Sequence, residues 1–323
     1  MAFTRRRIGT HATLLTACAA AMAIAASPAP ATGTGRTGTA TAAGTVQTGT
    51  VQAGTAAAGA VQAGGPVRIM PLGDSITMGI GSQTMSSYRA DLYRRLTAAG
   101  VAVDFVGTAR DGTGRDLDHE GHSGWTIDKI SRSVDQWLMQ HSPDVVLLHI
   151  GTNDMRQDAT AKGAAGRLSL LIDQIRFRRP AAQIFVATLV GAKRPEEQRR
   201  IDAYNAQVPG VVAAKDRRVH LVDQSTVDEL DIRDNLHPND FGFAKMSWNW
   251  YNALQRVLRP AGATAWPSGA NPYRQTRAYL CHLVATYPNG VYRGVIRCGQ
   301  FRKVTQSRRV GGRPTTVTRW LPA

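Results

Sequence analysis

The chain of 323 residues carries 39 Lys+Arg against 23 Asp+Glu, with 43% apolar residues and 32 glycines. That length excludes a peptide hormone or a mini-protein and allows one large domain, or two smaller ones, with a real core. The formal charge of +16 invites a nucleic-acid function, but all 23 acidic residues lie between Asp74 and Asp240. Val67 to Leu258 holds 24 basic and 23 acidic residues, whereas Pro260 to Ala323 holds 10 basic residues and no acidic one. The excess belongs to the ends, chiefly the C-terminal tail, and the centre has no unusual attraction for polyanions.

In chain order, Arg5, Arg6 and Arg7 precede an uncharged Ala/Leu-rich run from Ala12 to Ala26 and small residues around Ala29-Pro30-Ala31. A membrane span needs about 20 apolar residues, so this shorter run reads as a cleaved signal peptide over residues 1–31. Stable membrane insertion is not expected. The expected location is extracellular, by the Sec route or, given Thr4-Arg5-Arg6-Arg7-Ile8, the twin-arginine route. Leu15-Thr16-Ala17-Cys18 resembles a lipoprotein cleavage box, a minority reading because the apolar run continues past Cys18. Residues 32–65 are almost entirely Ala, Gly, Thr, Val and Gln, and Thr45 to Gly64 falls into four related pentapeptides. Nothing there can fill a core, so the segment reads as a flexible linker.

Residues 66–258 alternate short β-branched apolar runs with helical periodicity. The expected strands are Val67–Leu72, Val101–Val106, Asp144–Ile150, Gln183–Val190 and Val219–Val222. Ser86 or Ser87 can cap a helix whose apolar face is Tyr88, Leu92, Tyr93 and Leu96, ending at Gly100. Thr126 can cap another carrying Ile127, Ile130, Val134, Trp137 and Leu138. Further helices are expected near 161–178, 195–214 and 239–258. Strands alternating with helices predict an α/β fold: a three-layer sandwich whose parallel sheet of about five strands is flanked by helices.

Ligand sites in such folds lie beyond the carboxyl ends of the strands. There the sequence places Gly73-Asp74-Ser75-Ile76-Thr77 after the first strand, Gly151-Thr152-Asn153-Asp154 after the third, and Asp234-Asn235-Leu236-His237-Pro238 after the fifth. A serine needs a base to become a nucleophile, the base needs a carboxylate to fix its tautomer, and the oxyanion needs donors. Taken singly, Ser75 can be a helix cap, His237 a loop histidine, Asn153 an Asx-turn former and Asp234 a solvated carboxylate. Their joint placement at three strand ends favours acyl transfer. There is no G-x-S-x-G, so the nucleophile elbow of the α/β-hydrolases is absent.

With these blocks in order, and with Glu120-Gly121-His122-Ser123-Gly124-Trp125-Thr126 as the second of four, the chain resembles the SGNH (GDSL) hydrolases. It is most similar to the acetyl xylan esterases of the third carbohydrate-esterase family. The resemblance implies Ser75 as nucleophile, His237 as base and Asp234 as its orienting partner. It also implies an oxyanion hole of the Ser75 N–H, a second-block glycine N–H and the Asn153 side chain. Gly121 is the expected glycine, from its place two residues before Ser123, and Gly124 is the alternative. The implied activity is hydrolysis of short acyl esters, with deacetylation of a polysaccharide such as acetylated xylan foremost, through an acyl-enzyme. A lipase, lysophospholipase or thioesterase on longer chains is the alternative within the fold, and a non-catalytic cell-wall or polysaccharide-binding protein the alternative outside it.

No cofactor or metal is expected. The run of Asp116, Asp118, His119, Glu120 and His122 meets no known metal-ligand spacing and reads as a polar surface loop. Trp125 reads as a wall or core residue.

The extension 259–323 departs from the family pattern. Asn289-Gly290 is the strongest two-residue hairpin signal in the chain, and pairing outward from it sets Cys281 opposite Cys298 and Leu283 opposite Ile296. A disulfide closing a small basic β-hairpin follows, and with it an expectation that hydrolysis survives deletion of everything after Leu258. The tail's arginines and tyrosines suit an anionic cell-wall polymer or polysaccharide, and a disordered, solvated tail is the equal alternative. The expected partners are otherwise an acylated polysaccharide or small ester; nucleic acid is not expected, and the chain is expected to be a monomer.

Overall fold

The computed structural model describes residues 65–259, 262–286, 293–310 and 313–323. These belong to one compact unit, Ala56–Ala323. The expected signal peptide, most of the expected linker and the expected turn at Asn289-Gly290 lie outside the described residues.

All five expected strands form. β1 (Val67–Gly73) is the hub of the sheet. After α1 (Ser75–Met78) and α2 (Arg89–Ala98), β2 (Val103–Phe105) runs parallel to its first three residues. Two short strands were not expected: β3 (Ala109–Arg110) and β4 (Asp118–Gly121) pair antiparallel, and β4 joins the end of β1, Gly73 beside Gly121. Following α3 (Ile127–His141), β5 (Val145–His149) lies along the other edge of β1. Next come α4 (Asp158–Ala161), α5 (Ala164–Arg178), β6 (Gln183–Ala187), α6 (Pro195–Asn205), α7 (Val208–Ala213), β7 (Val219–Val222) and α8 (Asp240–Leu258). The order β3-β4-β1-β5-β6-β7, with β2 also on β1, leaves β1, β5 and β6 in the middle.

β5 and β6 are buried at every position, which is why they read as unbroken apolar runs and not as alternation. One face packs on α3 and α5 through Ile130, Val134, Leu138, Leu168 and Ile172; the other packs on α2 and α8 through Leu92, Leu96, Met246, Trp250 and Leu254. The helix expected over 195–214 is two helices, separated at Ala206 and Gln207, with Pro209 in the first turn of the second. Nor do the expected serines cap α2. Ser87 Oγ donates to Ile76 O at 2.7 Å and Ser86 Oγ to Thr113 O at 3.1 Å, so both tie down neighbouring loops.

The extension is more than a hairpin. β8 (Arg277–Thr286) pairs with β9 (Arg293–Val310) in the expected register, with Cys281 facing Cys298 in a disulfide and Leu283 facing Ile296. A third strand, β10 (Arg313–Pro322), pairs antiparallel with β9. The reading of a two-stranded appendage is corrected accordingly. The sheet is docked. Ala278, Leu280 and Phe301 are buried in one cluster with Phe241, and Trp320 meets the Phe241 ring edge-on at 5.4 Å. Trp266 packs on the α2/α8 side of the core, and Tyr251 donates to Pro267 O at 2.6 Å.

Candidate active site

Ser75 is the first residue of α1, where the chain turns sharply off β1, and Asp74 caps the turn by accepting the Ile76 N–H at 3.0 Å. Asp74 is fully buried, and burial raises its carboxyl to about 6. The third block follows β5. The fifth-strand loop reaches back to the same edge, pinned at its base by an Ile232–Pro238 bridge and by Asn239 N–H donating to Asp231 O at 2.7 Å. Asn239 also caps α8, its side chain accepting from Phe241 and Gly242 N–H at 3.1 and 3.0 Å.

Those three loops bring the expected residues together. Ser75 Oγ lies 2.9 Å from His237 Nε2, and His237 Nδ1 lies 2.7 Å from Asp234 Oδ2. The other oxygen of Asp234 accepts the N–H groups of Leu236 and His237, each at 2.9 Å. Burial alone would raise the Asp234 carboxyl, but these hydrogen bonds and the His237 ring outweigh it and hold the group below the usual carboxylate range. Asp234 is therefore an ionised acceptor that fixes the proton of His237 on Nδ1, leaving Nε2 as the acceptor facing the serine. Ser75 itself is 6% exposed.

Asn153 donates one side-chain N–H to Trp125 O at 3.0 Å, which leaves its second N–H unspent. Asp154 ties the third block to the second, its carboxylate accepting Ile127 N–H at 3.0 Å and Arg167 at 2.8 Å. It takes the place of the expected Thr126 cap, since Thr126 makes no side-chain capping bond.

The expected glycine donor is corrected. Gly121 N–H already donates to His119 Nδ1 at 3.0 Å, and a Cβ there would stand 2.5 Å from Met78 N. Gly121 is small because α1 presses on the end of β4. Gly124 has φ +77, which disfavours any other residue, and open space where a Cβ would be. It is the second-block glycine whose N–H is not spent inside the fold.

The acidic run read as a surface loop is also corrected. His119 and Glu120 are fully buried on β4. Glu120 accepts Thr108 N–H at 2.8 Å, the Thr108 hydroxyl at 2.7 Å and His122 Nε2–H at 2.7 Å. The His122 ring stacks on Trp125 at 4.3 Å and on Trp137 at 4.6 Å, so Trp125 is a wall that holds the second-block loop. His119, driven down to about 3 chiefly by burial, is neutral and passes its Nε2–H to Asp111 at 3.2 Å. Among the described residues, no group of three or more His, Cys, Asp or Glu is arranged to hold a metal ion.

Sequence reasoning missed Arg89. Almost fully buried, it donates to the carbonyls of Thr77, Met78, Met85, Asp111 and Leu117 at 2.8–3.1 Å. One guanidinium thereby collects α1 and the two loops beside it, and no periodicity marks a residue whose five acceptors are backbone.

Residues 72–245 match the GDSL-like lipase/acylhydrolase family. The chain belongs to this family of carboxylic ester hydrolases. Among solved structures, it is 41% identical to a family 3 carbohydrate esterase of Clostridium thermocellum, with a TM-score of 0.54 over 60% of this chain and 98% of that one. A carbohydrate esterase family 3 protein from Talaromyces cellulolyticus is 27% identical, with a TM-score of 0.53 over 60% and 98% of the two chains. A multidomain esterase of Ruminococcus flavefaciens is 28% identical over 227 residues, which is 60% of this chain and 29% of that protein. The chain thus spans less than a third of that curated relative.

Proposed function

We propose that the protein is an exported serine esterase that removes acetyl groups from a polysaccharide such as acetylated xylan. The observation that carries the reading is the Ser75–His237–Asp234 relay, at 2.9 and 2.7 Å, at the carboxyl end of a parallel sheet. Ser75 Oγ attacks the acyl carbon as its proton passes to His237 Nε2. The developing oxyanion is met by the N–H groups of Ser75 and Gly124 and by the free amide N–H of Asn153. His237 then protonates the departing sugar oxygen, leaving an acyl-enzyme. Water, deprotonated by the same nitrogen, releases the acid and restores Ser75. Asp234 stays ionised throughout and stabilises the imidazolium.

The choice of a carbohydrate substrate is supported by the likeness to family 3 carbohydrate esterases of the two organisms named above, and that of the acetyl group by the likeness to a solved acetyl esterase that is 26% identical with a TM-score of 0.53. Export is supported by the arginine-led apolar N-terminus and by the Cys281–Cys298 disulfide, which suits an oxidising compartment. The test is hydrolysis of p-nitrophenyl acetate, butyrate and laurate beside acetate release from acetylated xylan. Acetyl preference with release from xylan is the expected result. Laurate preference would move the protein to the lipase reading.

A further inference from the structure

Register sorts the basic residues of the C-terminal sheet onto its two faces. Side chains alternate along a strand, so odd positions of β8, even positions of β9 and odd positions of β10 share one face. The opposite face is the docked one, with Ala278, Leu280, Phe301 and Trp320. Among the basic residues whose side chains are described, Arg277 and Arg302 fall on the outer face, and Arg297 and Lys303 on the docked one.

Arg277 and Arg302 are direct partners across the ladder, both exposed, and among the described residues neither forms an ion pair. Like charges directly opposed across a strand pair are destabilising. No acidic residue follows Asp240 to relieve them. Beside this pair on the same face, Tyr279 is 55% exposed and sits opposite the exposed Gln300. Guanidinium forks match carboxylates, an exposed ring offers a flat face to a pyranose, and an amide can serve hydroxyls. Charge alone would suit any polyanion; the ring and the amide beside the arginine pair suit one built of sugars.

We propose that the outer face of the β8–β9–β10 sheet binds a carboxylate-bearing polysaccharide and holds the hydrolase against it. The choice of a polysaccharide rests on the proposed deacetylase function; the anion-binding face stands on register and charge. The test uses the full chain with polygalacturonate, uncharged xylan, duplex DNA and phosphatidylglycerol vesicles as probes, each over a salt series. Retention by polygalacturonate and not by xylan, weakening as salt rises, is expected. Arg277→Gln with Arg302→Gln should weaken it about tenfold or more, since each arginine beside an anionic surface is worth about 1 kcal/mol. Tyr279→Ala should weaken binding to polygalacturonate and leave any binding to DNA unchanged. p-Nitrophenyl acetate hydrolysis, read on the same samples, should not change in any of these variants. No retention at low salt, or full retention by the double variant with an unaltered near-UV spectrum, overturns the proposal. Tighter binding to DNA or vesicles than to polygalacturonate overturns the choice of partner. An inactive hydrolase that still binds polygalacturonate sinks the esterase reading alone.

Discussion

Residues 67–258 and the sheet of residues 277–322 treat charge in opposite ways. In the first, acids and bases nearly balance, and the ion pairs found among the described residues all fall within 68–245. Buried carboxylates there are tied down: Asp154 by Ile127 and Arg167, Glu120 by Thr108 and His122. In the second there are no acids, and the strands are held by their ladder, one disulfide and a small apolar patch. A reaction centre needs its charges fixed in advance, whereas a face that meets an outside polymer can leave its charges uncompensated.

The sharpest way to separate the two regions is at the relay. Ser75→Ala or His237→Ala should lower ester hydrolysis by about 10⁴-fold or more, leaving polyanion binding untouched. Near-wild-type turnover in Ser75→Ala would falsify the mechanism. Asn153→Ala should lower turnover by roughly 10²–10³-fold by removing one oxyanion donor.

Deleting everything after Leu258 tests how independent the regions are. The sequence alone predicts an unaffected hydrolase, but the structure predicts a cost. The deletion uncovers Phe241, removes Trp266 from the core, and takes one acceptor from each of two residues near the histidine loop. Asn239 loses Cys281 O at 3.1 Å, and Lys193 loses Leu283 O at 3.3 Å. Burying one large apolar side chain is worth about 2 kcal/mol, so Tm should fall by roughly 10 °C in calorimetry. An unchanged Tm would show the sheet to be a passenger.

Acid should weaken the hydrolase core. Burial drives His149 down to about 4 and His119 to about 3, from 6.5. Groups lowered on folding contribute stability that is present above 6.5 and lost as pH falls through the folded values. Asp74, raised to about 6 from 3.8, works the other way, its contribution being lost as pH rises through 6. Asp116 and Asp154 are likewise raised by burial, and His220 and His282 likewise lowered, so four imidazoles against three carboxyls predict a net fall in Tm between pH 6.5 and 4, made shallower in His149→Gln. A Tm that holds steady over that range contradicts this.

The smallest effect on activity is expected from Cys281→Ser. Removing a disulfide that closes 17 residues should destabilise the sheet by about 3 kcal/mol and speed proteolysis after residue 277, with acetate hydrolysis nearly unchanged. Resistance to protease equal to that of the parent would argue against it.

The sequence by itself determined the five strands, because β-branched runs buried on both faces leave few other readings, and it pointed to Ser75, Asp234 and His237, through their place in loops that follow the first and last strands of the sheet and through the family resemblance of those loops. It also determined the Cys281–Cys298 register, since a two-residue turn leaves only one way to count outward. What it could not decide was which backbone N–H groups were already spent. Gly121 and Gly124 look alike in the chain, and only the fold shows His119 occupying the first. The same holds for Arg89, whose acceptors are carbonyls scattered from Thr77 to Leu117, and for the acidic run, of which His119 and Glu120 prove to be buried on a strand. Periodicity records which side chains avoid water. Donors and acceptors are matched across distant segments, and that matching exists only once those segments have been packed together.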